Sequence, residues 1–206
     1  MSFIPNALTL MRCVLAFIAG WTVLMAGHIG PFGEQSMHGS EHALALVAPF
    51  GVFLLAAGTD FLDGWAARAL NAQSAFGAWL DPIADKLLVA AVLIPLSWGF
   101  GWSWDILAPT IAIVGRDVAI TFLREVQGNP PTLVVSPFAK IKTAAELAAI
   151  GAILAAIACQ TLPLGAAALK IAWSGSMAIG FLLIWAAAAM SLLTGARYAR
   201  AAFFSP

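Results

Sequence analysis

Charged residues are scarce in this chain of 206 residues, in which Lys and Arg together number 10 and Asp and Glu another 10. Soluble domains are roughly a quarter charged, whereas this chain is 10% charged and 62% hydrophobic, with a mean hydropathy of +0.93. An ordinary soluble domain is therefore excluded. Only helices and closed barrels satisfy their backbone in lipid, and an apolar run of about 20 residues crosses the bilayer as a helix. The sequence predicts an all-α integral membrane protein.

Cysteine and clustered basic residues are also scarce. Cys13 and Cys159 lie far apart in apolar runs and match no metal or redox spacing, so we expect small buried core residues. The Lys and Arg residues are scattered at predicted helix ends, which excludes the basic stripe of a nucleic-acid-binding protein.

Apolar runs separated by turn residues predict one transmembrane catalytic domain over residues 1–206. Its six helices are expected at about 5–26, 42–70, 75–98, 105–126, 137–160 and 167–196. The first run lacks a basic n-region and is interrupted by Arg12, so we interpret it as a retained helix and not as a secretory signal.

The distribution of cations predicts the orientation in the membrane. Nine of the ten Lys and Arg residues lie at or near one set of helix ends, and only Lys170 lies at the other. Because cytoplasmic loops carry the excess of Lys and Arg, both termini and the stretch 60–85 are expected to face the cytoplasm.

The stretch 60–85 contains four of the ten acidic residues of this apolar chain: Asp60, Asp63, Asp81 and Asp85. Positions three and four apart share one face of a helix, so each pair is expected on one face, and the short turn between the helices makes the faces neighbours. Oxygen-only ligands favour hard divalent ions such as Mg²⁺ or Mn²⁺, and four carboxylates with small residues around them are enough to hold two such ions. Gly64, Ala67 and Gly77 leave space for a ligand, and Arg68 is placed to meet a phosphate oxygen.

Two simpler interpretations of these residues stay open. Carboxylates in membrane proteins often relay protons or ions in transporters, and small residues often mark tight helix packing. A transporter predicts charges near mid-membrane and paired repeats, whereas these four carboxylates cluster beside one turn.

The spacing D-x2-D-G-x2-A-R-x8-G-x3-D-x3-D resembles the signature of the CDP-alcohol phosphotransferases. The resemblance implies a six-helix fold, a homodimer, and attack by a hydroxyl on a metal-bound CDP-linked lipid or alcohol, with release of CMP. It implies that Asp60, Asp63 and Asp81 bind metal and that Asp85 is the general base and also touches a metal. The CDP moiety would then be held by Gly64, Ala67, Arg68 and Gly77.

Two cationic groups outside this motif bear on the acceptor. Arg116 and Arg124 lie in G-R-D-V-A-I-T-F-L-R-E, and Lys140 and Lys142 lie in F-A-K-I-K-T. Such cations suit an acceptor that carries a phosphate. Alternatively, they are anchors whose long side chains extend to lipid headgroups.

These two stretches and I-P-N-A-L-T-L-M-R at the start resemble the branch of the family that joins CDP-diacylglycerol to sn-glycerol 3-phosphate. That resemblance places Asn6, Thr9 and Arg12 near the nucleotide or lipid phosphate. It places a second set around the acceptor phosphate: Arg116, Thr121, Arg124, Lys140 and Lys142. Inositol phosphate and phosphatidylglycerol are the alternative acceptors. The expected location is a bacterial inner membrane, with the active site facing the cytoplasm.

Overall fold

The computed structural model describes the backbone of residues 3–29, 40–69, 75–126, 137–163 and 165–204. Within these ranges it describes the side chains of residues 9–26, 43–59, 83–84, 86–123, 141–163 and 165–200. The helices are α1 (Phe3–Ile29), α2 (Ser40–Ala69), α3 (Ala75–Gly99), α4 (Trp104–Thr110), α5 (Arg116–Val126), α6 (Pro137–Cys159) and α7 (Ala166–Phe204). No strand occurs in these ranges, which confirms the all-α prediction.

The chain departs from the predicted helices in two places. The sequence predicts one α-helix over 105–126, but the π-helical segment Ile111–Gly115 separates α4 from α5. Pro109, inside α4, lacks the N–H that would bond the carbonyl four residues earlier, and the helix widens directly after it.

The second departure is the end of α7, which continues to Phe204 and not only to about residue 196. The residues that follow 196 include several Ala and Arg and contain neither Gly nor Pro before the helix ends, so nothing stops the helix there. With 39 residues, α7 is about 58 Å long at about 1.5 Å per residue and exceeds the hydrocarbon core of about 30 Å. Part of α7 therefore projects out of the bilayer.

Several of these helices have the length and composition of membrane spans. Among the described residues, four segments are long and apolar enough to cross a bilayer: Thr9–Ala26, Trp104–Leu123, Ile141–Cys159 and Ala166–Arg200. Two shorter apolar segments are Ala43–Thr59 and Lys86–Gly99. The protein is thus an integral membrane protein, and the count of six spans stays a prediction.

The helices pack in two groups, with α1 against α2 and α3, and α6 against α7; α2 also contacts α6. The shared core is apolar and includes Phe53, Leu93 and Ile153. At Gly20 the approach of α1 to α3 is so close that a Cβ atom would lie 2.5 Å from the carbonyl oxygen of Ala91. Small residues permit such close helix contacts.

Candidate active site

The acidic motif lies on two consecutive helices. Asp60 and Asp63 are in the last part of α2, and Asp81 and Asp85 are in the first part of α3. The backbone is helical at both places, so the members of each pair, three or four residues apart, share one helix face as predicted. The structure does not describe the side chains of these four residues, so their convergence on one pocket stays a prediction.

The residues predicted to bind CDP divide into two sets. Gly64, Ala67 and Arg68 are in α2, Gly77 is in α3, and Asn6 is in α1; their side-chain positions lie outside the described part. Thr9 and Arg12 are described, and both are buried, at 2% and 1% exposure. Burying a guanidinium is costly unless it is paired with an anion or with good acceptors, so Arg12 is no surface anchor.

A buried ionic network joins α5 and α6. Asp117 Oδ1 accepts hydrogen bonds from Arg116 Nη1 at 2.8 Å and from Lys142 Nζ at 2.9 Å. Lys142 Nζ also lies 3.2 Å from Glu146 Oε1, one turn further along α6. The network therefore contains two cations and two carboxylates and has no net formal charge.

The burial of this network decides between the two interpretations of its cations. The side chain of Lys142 is only 6% exposed and that of Arg116 19%. A headgroup anchor extends its charged end into water, whereas Lys142 directs its ammonium to two carboxylates inside the bundle. Lys142 and Arg116 are therefore not simple membrane anchors. Arg200, in contrast, is exposed near the end of α7, as the anchor interpretation requires.

Two further contacts connect this network to other helices. Arg116 Nη2 donates a hydrogen bond to Thr194 Oγ1 of α7 at 3.2 Å. Thr121 Oγ1 donates to the carbonyl oxygen of Asp117 at 2.7 Å and accepts a hydrogen bond from Lys86 Nζ of α3. Because Lys86 follows Asp85 directly in sequence, this contact links the helix of the acidic motif to α5.

The structure thus brings together three members of the predicted acceptor set: Arg116, Thr121 and Lys142. Arg124 in α5 and Lys140 in α6 have side chains outside the described part. Sequence reasoning missed Glu146, Thr194 and Lys86 as members of the same cluster. Only Glu146 had a local signal, its spacing of four residues from Lys142.

A separate apolar pocket lies toward the other end of the helices. It is lined by apolar residues such as Val23, Pro49 and Leu96. Along α1, Val23 is 11 residues from Arg12, or roughly 16 Å at about 1.5 Å per residue. Because the described residues that line it are all apolar, this pocket does not suit a charged acceptor, and we assign the site to the polar cluster.

Comparison with known proteins identifies the family. The family model described as CDP-alcohol phosphatidyltransferase matches residues 2–193. The chain belongs to the CDP-alcohol phosphatidyltransferase family. This confirms the resemblance of the acidic motif and makes the protein an enzyme of phosphatidyl transfer. Enzymes of this family generally depend on a divalent metal ion.

Several curated members of the family are similar over much of the chain. A CDP-diacylglycerol–glycerol-3-phosphate 3-phosphatidyltransferase of Cereibacter sphaeroides is 33% identical over 97% of this chain and 95% of its own length. An enzyme of the same name from Bacillus subtilis is 36% identical over 73% of this chain and 76% of its own length. A cardiolipin synthase (CMP-forming) of Oryza sativa is 39% identical, but over 56% of this chain and only 39% of its own length.

Proposed function

We propose that this enzyme transfers the phosphatidyl group of CDP-diacylglycerol to sn-glycerol 3-phosphate, giving phosphatidylglycerol phosphate and CMP in phospholipid biosynthesis. The observation that carries the proposal is the similarity to the Cereibacter sphaeroides enzyme of that name, which extends over nearly the full length of both chains. The buried cations Arg116 and Lys142 support it, because an acceptor that bears a phosphate needs such partners.

The acidic motif has the donor set that a divalent metal requires. The helical backbone at 60–63 and 81–85 supports one cluster of carboxylates, and their oxygens suit Mg²⁺ or Mn²⁺. We assign Asp60, Asp63, Asp81 and Asp85 as the residues that hold the metal, with two ions as the expected number. Bound there, the metal supplies positive charge that neutralises the diphosphate of CDP-diacylglycerol.

The remaining chemistry is carried by side chains of this chain. Asp85 accepts the proton of the sn-1 hydroxyl of glycerol 3-phosphate, whose oxygen forms a bond to the phosphorus next to diacylglycerol. The bond from that phosphorus to the oxygen bridging it to the CMP phosphate breaks, and CMP leaves with the bonding electrons. Gly64, Ala67, Arg68 and Gly77, with Asn6, Thr9 and Arg12, hold the CDP moiety. Phosphoryl transfer depends chiefly on such positioning.

The acceptor phosphate is assigned to the cationic cluster on α5 and α6. Its members are Arg116, Thr121, Arg124, Lys140 and Lys142. Three of them, Arg116, Thr121 and Lys142, are hydrogen-bonded to Asp117 in the absence of an acceptor. Preorganised partners bind a phosphate with less ordering cost.

We further propose one catalytic domain over residues 1–206, a homodimer, and a bacterial inner membrane in which the acidic motif faces the cytoplasm. The asymmetry of Lys and Arg along the chain supports that orientation. Labelling of single cysteines introduced at Ser40 and Ser205 in intact cells tests it, since only the first should react with an impermeant reagent. Chemical crosslinking in membranes tests the dimer.

An acceptor panel tests the proposed reaction. Purified protein with Mg²⁺ and radiolabelled CDP-diacylglycerol is offered glycerol 3-phosphate, inositol phosphate, phosphatidylglycerol, serine or water, and the products are identified by headgroup. We expect phosphatidylglycerol phosphate and CMP with glycerol 3-phosphate alone. Equal release of CMP with every acceptor would reject the assignment.

The second candidate is a CMP-forming cardiolipin synthase. The similarity to the Oryza sativa enzyme favours it, but the chain matches only 39% of that protein. Formation of cardiolipin from phosphatidylglycerol in the panel would select this alternative.

A further inference from the structure

Two residues of α7, Thr194 and Gly195, lie against the side chain of Arg116. Its Nη1 donates to Asp117 Oδ1 at 2.8 Å, and its Nη2 donates to Thr194 Oγ1 at 3.2 Å. Thr194 has a single hydroxyl proton, and its Oγ1 lies 2.8 Å from the carbonyl oxygen of Met190. Because the Thr194 hydroxyl donates its hydrogen bond within α7, its oxygen acts as the acceptor for Arg116 Nη2.

Gly195 provides the space through which the Arg116 side chain passes. A Cβ atom at residue 195 would lie 2.9 Å from Cγ of Arg116 and 3.5 Å from its Nε. Cγ is close to the backbone of Arg116, so it moves only if the whole side chain moves. The absence of a Cβ on Gly195 is therefore a condition for the observed position of Arg116.

In this position the guanidinium of Arg116 keeps N–H groups that can donate hydrogen bonds to a ligand. Arginine has five N–H groups, and the two bonds named above use one on each terminal nitrogen. Nε is buried and has no hydrogen-bond partner among the described atoms. A buried donor without a partner is rare in folded proteins, and here it belongs to a side chain assigned to an incoming phosphate.

We infer that Thr194 and Gly195 are positioning residues of the acceptor site, which orient the Arg116 guanidinium for the phosphate of the acceptor alcohol. The inference rests on the proposed function. Neither residue needs to touch the substrate. Their role extends the acceptor site from α5 and α6 to the last helix of the chain.

The test compares the KM for glycerol 3-phosphate with the KM for CDP-diacylglycerol in variants of Thr194 and Gly195. Thr194→Val keeps the shape but removes the acceptor atom, and we expect the KM for glycerol 3-phosphate to rise about ten- to a hundredfold, the value of one charge-assisted hydrogen bond. Gly195→Ala displaces Arg116, and we expect an equal or larger rise. The KM for CDP-diacylglycerol should not change, and Thr194→Ser should restore the wild-type value.

Two other glycines of α7 supply matched controls. A Cβ at Gly175 meets nothing within 4 Å, whereas a Cβ at Gly180 would lie 2.5 Å from Cγ1 of Ile153. Gly175→Ala should behave as wild type. Gly180→Ala should lower Tm and the yield of active enzyme with no change in either KM, which is the pattern of a packing defect.

The results separate the possible roles. If Thr194→Val and Gly195→Ala follow the pattern of Gly180→Ala, or leave the KM for the acceptor unchanged, the positioning role is rejected. If a variant is too unstable for the kinetic assay, the rise of Tm on adding glycerol 3-phosphate is compared between that variant and the wild type. This gives the same comparison without turnover. If the wild type uses another phosphate-bearing acceptor, the proposed function fails, and the positioning role is judged on the KM for that acceptor.

Discussion

Lys86 of α3 donates a hydrogen bond from its Nζ to Thr121 Oγ1 of α5. Thr121 Oγ1 in turn donates a hydrogen bond to the backbone carbonyl oxygen of Asp117, the residue whose carboxylate binds Lys142. The helix of the acidic motif and the helix of the acceptor cluster are thus joined by the Lys86–Thr121 hydrogen bond.

This link predicts a specific effect of Thr121→Val. The change removes the oxygen that binds Lys86 and should lower kcat/KM for glycerol 3-phosphate by about ten- to a hundredfold, since a hydrogen bond to a charged group contributes roughly 1.5 to 3 kcal/mol. Thr121→Ser should restore activity. Thr22→Val is the control, because among the described residues the Thr22 hydroxyl bonds the Ala19 carbonyl of its own helix and no other helix. Equal losses in both valine variants would contradict the link.

The sequence was sufficient to predict the helical class, the membrane location and the family, because long apolar runs and one spaced motif are local features. It also predicted Arg116, Thr121 and Lys142 as one group. Thr194 could not be predicted, since its role depends on how α7 packs against α5, and a Thr in an apolar helix has no local signal. The π-helical segment before Arg116 was missed because periodicity over so few residues does not distinguish it from an α-helix.

The metal assignment predicts a loss of activity on chelation. Removal of divalent ions should abolish CMP release, and Mg²⁺ or Mn²⁺ should restore it. Asp81→Asn should lower kcat by at least about a hundredfold, because the metal supplies several kcal/mol of charge stabilisation. The exposed Asp105, hydrogen-bonded to Ser103, gives the control Asp105→Asn. Full activity in the presence of excess chelator would exclude a metal role for the motif.

The role of Asp85 as general base predicts a separation of binding from turnover. Asp85→Asn should lower kcat by about 10² to 10⁴, the usual contribution of a positioned base, while the Kd for CDP-diacylglycerol changes little. Binding is measured with the labelled nucleotide lipid in the absence of acceptor. Retained turnover would remove the base role, and lost binding would make Asp85 chiefly a ligand of the metal or nucleotide.

The charge balance of the buried network predicts non-additive effects on stability. Lys142→Met leaves Glu146, 2% exposed, without its cation, and an uncompensated buried charge costs about 3 to 5 kcal/mol. The double variant Lys142→Met with Glu146→Leu removes both charges, so its Tm in detergent should lie well above that of Lys142→Met alone. Its KM for glycerol 3-phosphate should stay raised, because the ammonium assigned to the acceptor is still absent. A double variant no more stable than Lys142→Met would show that Glu146 is not stabilised by Lys142.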